Sequence, residues 1–403
     1  MITVAEASSI IQANLLSLSK TEVDLVQAVG RVLREPIYAD RDFPPYHRVT
    51  MDGIAIQFST FRDGHDTYPI EDVQLAGDAP KTLKNSTNCL EVMTGSVLPA
   101  GTDTVIRYED VLITEQAGKR YARIITAPAG IWQSVHLQGS DRKAADLLIP
   151  AGRIISPAEV AVMASVGKST VRVTQSPRVA IIATGDELVG ISDTPLPHQI
   201  RQSNGYMLQA ALLQSGVKAE RFHLRDDKTV LLQEVENILR QYDVLLLSGG
   251  VSKGKADFIP DVLATLGVQK LLHEVAQRPG KPFWFGRLAN GPVIFALPGN
   301  PVSTFLCYYK YVQPWLRAGL GAGPALLPQI NLAADVTFKP NLTYFMPVKL
   351  AVNTRYEYVG QPLTTSGSGD FAGLLEADGF LELPQGKSFF AAGEQFSFIS
   401  FRN

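Results

Sequence analysis

The 403-residue sequence has few of the residues that mark a secreted, zinc-dependent or membrane-spanning protein. Its two cysteines, Cys89 and Cys307, lie in no CxxC pair and no Cys/His cluster, which predicts buried, reduced thiols rather than a disulfide or a metal site. The six histidines form no HExxH motif, so we do not expect a zinc enzyme. No apolar run reaches about 18 residues, and no membrane span is therefore expected.

The chain also lacks a strong excess of charge, since its formal net charge is −2. This balance provides neither a basic surface for nucleic acid nor an acidic tail. The N-terminal stretch MITVAEASSIIQANLLSLSK has no basic start and no cleavage site, which predicts a surface helix and not a signal peptide. With 45% hydrophobic and 19% charged residues, we expect a globular cytoplasmic protein of about two to four domains.

The N-terminal part of the chain predicts helices that are separated by a β-rich segment. Residues 3–18, 21–34 and 155–167 have apolar residues at helical spacing. The double proline within residues 40–48 ends the first helical pattern, and alternating runs then continue to about Gln138. The β-rich segment is therefore expected to be an insertion into a helical platform.

From Pro177 onward, apolar runs alternate with amphipathic segments. The apolar runs, which predict strands, are RVAIIAT, VKAERFHL, DVLLLS and PVIFALPG. The amphipathic segments, which predict helices, are NGYMLQAALLQSG, VLLQEVENILRQY, ADFIPDVLATLG and PVSTFLCYYKYVQPWL. This alternation is typical of a parallel sheet that helices cover on both faces. After GAGPALLPQ, short alternating runs predict a small C-terminal β-domain.

Polar, glycine-containing or acidic loops follow the four predicted strands. These loops are ATGDEL, LRDD, SGGVSKGKADF and LPGNPVS. Because the carboxyl ends of parallel strands share one edge of a sheet, we expect the loops to lie together. Glycines and helix N-termini at that edge favour an anionic ligand, and oxygen ligands beside an anion favour Mg²⁺. The acidic residues concerned are Asp186, Glu187, Asp226 and Asp257.

Each of these features also has a simpler interpretation. Asp186 and Asp257 could be helix caps, and Gly249–Gly250 could be an ordinary turn. The stretch DVLLLSGGVSKGKADF nearly matches a nucleotide-binding P-loop, but Ala256 stands where that motif requires Ser or Thr. The segment QRPGKPFWFG predicts either a cationic pair that faces an oxyanion or a solvated charged hairpin. The loop DFPPYHRVTMDGIA predicts either a rigid functional loop that presents Asp52 or a structural cap.

Taken in order along the chain, these segments resemble the motifs of one family, the molybdopterin molybdenumtransferases. That family includes the bacterial MoeA proteins and the C-terminal domain of gephyrin. The motifs are PP…MDG, MTGSVLP, TGDEL, SGGVSKGKADF, RPGKPFWFG and LPGNPVS, and the likeness covers essentially the whole chain.

The resemblance implies a multidomain fold of α/β and β type. A helical platform, residues 1–40 and 139–175, would be split by a β-domain with the MDG loop, residues 41–138. A molybdopterin-binding three-layer α/β domain, residues 176–325, would precede a β-barrel-like domain, residues 326–403.

The resemblance also implies an enzyme of molybdenum cofactor biosynthesis. Such enzymes insert molybdenum from molybdate into adenylylated molybdopterin, with Mg²⁺-dependent hydrolysis of the adenylate and release of AMP. The family implies a cytoplasmic homodimer whose active site lies between the α/β domain of one chain and the MDG-loop domain of the other. Implied partners are the adenylyltransferase and molybdoenzyme-maturation proteins, with no nucleic acid and no membrane.

Two alternative functions remain open at this point. One is a molybdopterin adenylyltransferase, against which the MDG-loop domain and the C-terminal β-domain argue. The other is a gephyrin-like scaffold, which would not need Glu187, Asp226 and Asp257 near one edge of the sheet.

The family motifs assign functional roles to individual residues. The implied catalytic residues are Asp52, Thr94, Glu187, Asp226 and Asp257, and Asp226 and Asp257 would hold Mg²⁺. The implied substrate-binding residues are Asp141, Asp186, Gly249, Gly250, Ser252, Arg278, Lys281, Pro298, Gly299, Asn300, Pro301 and Ser303.

Several positions depart from the family pattern. His136 replaces an arginine before the G-[ES]-D element, and Glu274 replaces a lysine before RPGKP. The C-terminal domain lacks an arginine near Phe345, for which Lys339 or Lys349 could substitute. Alternative polar contacts, which could instead form a Gly/Ser turn, are Ser366, Ser368 and Asp370. These departures concern molybdate binding more than the fold, because fewer cations would weaken attraction to a dianion.

Overall fold

The computed structural model describes residues 1–250, 258–323, 326–364 and 367–402. The chain forms two compact units. The first unit comprises Met1–Glu35, Gly152–Pro157 and Thr170–Asn403. The second unit comprises Pro36–Ala151 and Ala158–Ser169.

The centre of the first unit is a six-stranded mixed sheet. In spatial order, its strands are Ala219–Leu224, Val179–Thr184, Val244–Ser248, Val293–Leu297, Trp284–Arg287 and Gln269–His273. The first four strands pair in parallel, which confirms the four predicted strands. The last two pair antiparallel, so the expectation of a wholly parallel sheet is wrong. The reason is that the charged RPGKP turn separates two strands that join the sheet at its edge.

Two layers of helices cover the faces of this sheet. Side chains that alternate along each strand point to opposite faces, so Ile181 and Ile182 belong to different cores. Ile181 packs with the helix Asn204–Gln214 and with helical residues 301–319. Ile182 packs with the helices Lys228–Gln241 and Ile259–Thr265. This arrangement confirms the predicted three-layer α/β domain.

The last helix of the α/β domain contains an irregular turn. The α-helical segments Pro301–Cys307 and Gln313–Gly319 flank a π-helical turn, Tyr308–Val312. Pro314 has no N–H group to donate, and its ring would clash with the carbonyl of the preceding turn in a regular helix. The wider π turn just before Pro314 accommodates this proline, so the helix predicted from residue 301 continues through it.

The C-terminal part of the first unit is a closed β-barrel. Its strands, in spatial order, are Gln277–Arg278, Thr343–Val352, Tyr358–Pro362, Gln329–Leu332, Gln395–Ser400 and Gly379–Leu383. The long strand Thr343–Val352 also pairs with Gly379–Leu383, which closes the sheet on itself. A further antiparallel pair joins Val336–Thr337 to Phe389–Phe390. The predicted barrel-like domain is therefore confirmed.

The N-terminal segment is less helical than the sequence predicts. The helix Val4–Gln12 confirms part of the first predicted helix, and Thr3 and Glu6 form a capping box at its start. The helix predicted over residues 21–34 is wrong, because Lys20–Asp24 is a strand that pairs antiparallel with Thr170–Thr174. Alternate residues of Lys20–Asp24 are exposed, and this period of two is the signature of a strand. A single 3-10 turn, Val26–Ala28, follows.

The second unit is built on another six-stranded sheet, as the alternating runs predict. In spatial order, its strands are Thr104–Arg107, Gly53–Ile56, Cys89–Val92, Thr67–Gln74, Lys119–Ile124 and Val111–Gln116. Smaller antiparallel pairs join Arg48–Val49 to Val135–His136 and Ile37–Tyr38 to Leu147–Ile149. The helices are Phe58–Arg62, a 3-10 turn at Tyr108–Asp110 and the predicted helix Pro157–Ser165, most of which belongs to this unit.

Both cysteines are buried free thiols, as predicted. Burial raises the pKa of Cys89 to about 12, and it raises the pKa of Cys307 further. Both side chains therefore behave as small apolar groups at neutral pH. None of the described helices combines the length and the hydropathy that crossing a bilayer requires.

Candidate functional site

The four polar loops begin side by side at one edge of the central sheet. The parallel register places Thr184 opposite Leu224, and Ser248 opposite Leu297. The loops therefore start where open α/β sheets bind their ligands. The predicted residues in or beside them are Asp186, Glu187, Asp226, Gly249, Gly250, Pro298, Gly299, Asn300, Pro301 and Ser303. Ser252 and Asp257 lie outside the described residues.

The two glycines after Val244–Ser248 form a tightly packed turn. Gly249 and Gly250 have φ values of 101° and 68°, which favour glycine. A Cβ atom on Gly249 would lie 2.9 Å from the carbonyl oxygen of Thr184, and one on Gly250 would lie 2.8 Å from Cγ1 of Ile259. The turn interpretation is therefore correct for the backbone, and it places this loop directly against the neighbouring one.

Asn204, which belongs to none of the family motifs, links two of the loops by hydrogen bonds. Its Nδ2 atom donates to Oγ of Ser248 at 2.9 Å and to the carbonyl oxygen of Gly299 at 2.7 Å. The sequence places Asn204 at the start of a predicted helix, but it gives no indication of its hydrogen bonds to Ser248 and Gly299, which lie 44 and 95 positions away.

Two buried polar atoms at this edge have no hydrogen-bond partner among the described residues. They are Oδ1 of Asn204 and Oγ1 of Thr184. Buried polar atoms are nearly always paired with protein, water or ligand, so each of these two atoms has capacity for one further hydrogen bond, to a water molecule or to a polar ligand. Thr184 belongs to the loop ATGDEL, whereas Asn204 begins the helix Asn204–Gln214 beside two of the loops.

Replacing Thr184 by valine is expected to raise the free energy of unfolding by about 1 kcal/mol, because it removes a buried hydroxyl that has no partner in the described parts of the protein. Thr174 is the matched control: it is also buried, but its hydroxyl donates to Leu320 and accepts from Arg34. Thr174→Val should therefore lower stability. Urea denaturation measures both, and a loss of stability in Thr184→Val would show that its hydroxyl is satisfied within the protein.

The acidic residues of the row have different surroundings. Asp227, and not Asp226, caps the helix Lys228–Gln241, because its carboxylate accepts from the backbone N–H groups of Thr229 and Val230. Asp186 does not cap a helix, since the strand Leu188–Val189 follows it. Its carboxylate lies 3.8 Å from the guanidinium of Arg225 in an exposed ion pair that links two loops.

A cavity of about 370 Å³ lies beside this edge, between the α/β domain and the C-terminal barrel. Its lining includes five predicted residues: Arg278, Lys281, Pro298, Asn300 and Ser303. The barrel contributes Tyr344 and Ser368, among others. The side chain of Asn300 donates to Oγ of Ser368 at 2.8 Å, so polar groups of the two parts are joined at the wall of the cavity.

Among the described residues, the lining of the cavity carries positive charge and no carboxylate. Its charged residues in these parts of the chain are Arg278 and Lys281, and neither forms an ion pair there with an acidic side chain. Uncompensated cations in a concave surface concentrate the field and attract anions. The RPGKP segment is therefore more than a solvated hairpin, because its cations face a cavity.

The proposed substitutes for the missing arginine do not line this cavity. Lys349 lies 3.9 Å from Glu376, and Lys339 is likewise absent from the described lining. Ser368 does line the cavity, whereas Asp370 accepts from the backbone N–H of Gly373 instead. Ser366 lies outside the described residues.

The second unit brings Asp52 and Thr94 together, as the motifs suggest. The backbone N–H and the hydroxyl of Thr94 donate to one carboxylate oxygen of Asp52, at 2.6 Å and 2.8 Å. These two bonds, the backbone one first, lower the pKa of the fully exposed Asp52. Asp52 is therefore an ionised side chain in a fixed position, and it caps no helix.

Asp141 is the third predicted residue in the second unit. One of its carboxylate oxygens lies 2.9 Å from Nε2 of His136. The other ring nitrogen, Nδ1, lies 3.0 Å from Nη2 of Arg48. The loop that carries Asp141 is also fixed through its backbone, because the N–H of Asp141 donates to the carbonyl of Phe43.

Models of three protein-family domains together match almost the whole chain. Residues 2–167 match the MoeA N-terminal region (domain I and II). Residues 180–318 match a domain described as "Probable molybdopterin binding domain". Residues 329–401 match the MoeA C-terminal region (domain IV).

Curated relatives and solved structures agree with these matches. A molybdopterin molybdenumtransferase of Synechocystis sp. is 41% identical and covers 99% of this chain and 100% of its own length. One of Nostoc sp. is 30% identical, covering 92% of this chain and 86% of its own. The crystal structure of a molybdopterin biosynthesis moea protein from Pyrococcus horikosii has a TM-score of 0.84 at 29% identity, with both chains covered fully.

Proposed function

The chain belongs to the MoeA family of molybdopterin molybdenumtransferases, and on this premise we propose that it inserts molybdenum from molybdate into adenylylated molybdopterin and releases AMP. The protein is thus a transferase of molybdenum cofactor biosynthesis. The reaction needs a site for a tetrahedral dianion beside a site for a phosphoanhydride.

The observation that carries this proposal is the cationic cavity. Arg278 and Lys281 line it without carboxylate partners among the described residues, and Ser303 and Asn300 add polar groups. A guanidinium group donates several fixed hydrogen bonds, which suits the oxygens of molybdate. The cavity of about 370 Å³ is larger than one oxyanion requires, so it can also admit the end of molybdopterin that receives the metal.

The neighbouring sheet edge suits the adenylylated end of the substrate. The buried hydroxyl of Thr184 can donate to a phosphate or pterin oxygen, and the buried Oδ1 of Asn204 can accept from a pterin N–H group. Hydrolysis of a phosphoanhydride depends on alignment and neutralisation of charge more than on a protein nucleophile. The row of loops provides alignment, and we assign Glu187 and Asp186 to the same end of the substrate.

We assign the Mg²⁺ ligands to Asp226 and Asp257. The proposed ligands are carboxylate oxygens, which Mg²⁺ prefers. Asp226 is half-buried and follows the strand Ala219–Leu224. When bound, Mg²⁺ would neutralise charge on the phosphate oxygens. Among the residues that the structure describes, no group of three or more acidic, His or Cys side chains forms a metal site by itself.

We propose that Asp52, Thr94 and Asp141 complete the site from the second chain of a homodimer. The ionised carboxylate of Asp52, held by Thr94, is suited to accept a hydrogen bond from the substrate.

The proposed partners are the adenylyltransferase that makes the substrate and the proteins that mature molybdoenzymes, and we propose a cytoplasmic location. If the protein is monomeric in solution and fully active, the proposal that a second chain completes the site is contradicted.

The test of this function uses the adjacent residues Asp226 and Asp227. Purified protein, adenylylated molybdopterin, Mg²⁺ and molybdate are mixed, and AMP is followed by chromatography. Asp226→Ala should reduce AMP release at least a hundredfold while the protein stays folded, because its role is to hold the metal. Asp227→Ala should lower stability by about 1 kcal/mol through loss of the helix cap and should keep activity.

The same experiment separates the alternatives. Release of AMP must depend on molybdate and must not consume ATP, since an adenylyltransferase would use ATP instead. Asp257→Ala should behave as Asp226→Ala does. Equal activities for Asp226→Ala and Asp227→Ala would contradict the assignment of the metal, and absence of any AMP release by the wild type would contradict the proposed function.

A further inference from the structure

Three charged or titratable side chains of the second unit form a continuous row. Arg48 and His136 lie opposite each other in the antiparallel pair of Arg48–Val49 with Val135–His136. Nη2 of Arg48 lies 3.0 Å from Nδ1 of His136, and Nε2 of His136 lies 2.9 Å from Oδ1 of Asp141. The imidazole therefore stands between a guanidinium group and a carboxylate.

This geometry defines how the imidazole is protonated. An arginine side chain can only donate hydrogen bonds, so Nδ1 of His136 must accept and carries no proton. The proton of the neutral ring then lies on Nε2, which donates to Asp141. His136 thus connects Arg48 to Asp141 through a tautomer that Arg48 sets, with its donor atom aimed at Asp141.

The row fixes one oxygen of Asp141 and leaves the other available. Oδ1 accepts from His136, with a longer contact from the hydroxyl of Ser140 at 3.4 Å. Within the described parts of the chain, no hydrogen bond reaches Oδ2 of Asp141. The carboxylate is consequently held in one orientation with one oxygen free to meet a ligand.

The exposure of the row argues that it does not serve stability. The side chains of His136 and Asp141 are 31% and 55% exposed. Exposed pairs of this kind contribute about 0–1 kcal/mol. Contacts that orient metal-binding side chains, by contrast, commonly change activity by about 10- to 100-fold, and we expect the same scale for a carboxylate that must be oriented toward a substrate.

We infer that Arg48 and His136 are positioning residues, which orient the carboxylate of Asp141 through a tautomer-fixed imidazole. This inference rests on the proposed function, because it assumes that Asp141 contacts the substrate. Arg48 acts on Asp141 at a distance, through the ring, without touching its carboxylate.

The test compares four variants in the molybdate-dependent AMP assay. Arg48→Ala and His136→Leu should each lower kcat about tenfold with little change in KM for the substrate, since orientation rather than binding is lost. The double variant should be no worse than His136→Leu, because both changes break one row. His136→Gln keeps one acceptor and one donor and should retain most of the activity.

Arg142→Ala is the matched control. Arg142 carries the same charge beside Asp141, but it donates to the backbone carbonyl of Asp141 and not to its carboxylate. We expect near-wild-type kcat for this variant. If Arg142→Ala and Arg48→Ala lose activity equally, general electrostatics and not the row is responsible, and the inference fails.

A spectroscopic measurement separates this inference from the proposed function. In protein labelled with 15N-histidine, the His136 signal should show the proton on Nε2, and Arg48→Ala should shift this signal. A proton on Nδ1 in the wild type would overturn the inference whatever the enzyme does. An inactive wild type would overturn the proposed function, and the NMR signal would still test the row.

Discussion

Replacing both Arg278 and Lys281 by alanine is expected to reduce molybdate-dependent AMP release by at least a thousandfold. These are the two cations of the described cavity lining, and no carboxylate there offsets them. A unit charge about 4 Å from a dianion at an effective dielectric of 20 interacts by several kcal/mol, and every 1.36 kcal/mol is about tenfold in rate. Each single variant should lose about 10- to 100-fold, because one cation remains.

Steady-state assays over a range of molybdate concentrations measure this effect, with a rise in the molybdate KM as the main change. Arg278→Lys should recover part of the loss, since it keeps charge but not the fork of donors. Lys349→Ala is the control, because Lys349 lies beside Glu376 and outside the cavity lining. A double variant that binds molybdate as the wild type does would remove the cavity from the proposed site.

Gly53→Ala is expected to destabilise the second unit by about 3–5 kcal/mol. A Cβ atom at Gly53 would lie 1.9 Å from the carbonyl oxygen of Ile106 and 2.8 Å from Cα of Arg107. Gly53 pairs with Val92 on one side and Arg107 on the other, so neither neighbouring backbone can move away cheaply. Overpacking at such a site is among the few mechanisms with effects of this size.

Gly130→Ala is the matched control in the same unit, because a Cβ atom there meets nothing within 4 Å and its φ is not positive. It should be neutral or slightly stabilising. Calorimetry should show a lower melting temperature in Gly53→Ala only. AMP release should also fall, because Asp52 precedes Gly53. Equal melting curves for the two variants would contradict the close approach at Gly53.

The order of strands and helices in the α/β domain was predictable because each element has a strong local signal. Runs such as RVAIIAT are apolar throughout, since the strand Val179–Thr184 is buried on both faces. The strand Lys20–Asp24 has only a weak alternation, and its exposed residues also suit a helix. The two antiparallel strands on either side of RPGKP were not predicted for another reason. They are short, and the sequence does not show which strands they pair with.

The motifs selected five residues that line one cavity, but the geometry of the cavity was not predictable from them. Arg278 and Ser368 line one cavity although ninety positions separate them, and no local pattern reports such proximity. The structure shows different surroundings for two of the departures from the family pattern, Glu274 and His136. Glu274 has a φ of 66°, its backbone N–H donates to the carbonyl of Phe283, and its carbonyl accepts from the N–H of Ile2, so the fold fixes its backbone. His136 remains connected to a cation, because Arg48 reaches its ring.

The edge strand Gln277–Arg278 has a consequence for how such proteins can be recombined. It pairs in parallel with Thr343–Val352 of the barrel, yet it belongs to the polypeptide of the α/β domain. The fully buried side chain of Gln277 also receives a hydrogen bond from Tyr311 in the last helix. A chimera joined at residue 326 would exchange the barrel but leave one of its strands behind. The α/β domain and the barrel should therefore be exchanged together, because a foreign barrel would have to pair with the retained strand that carries Arg278.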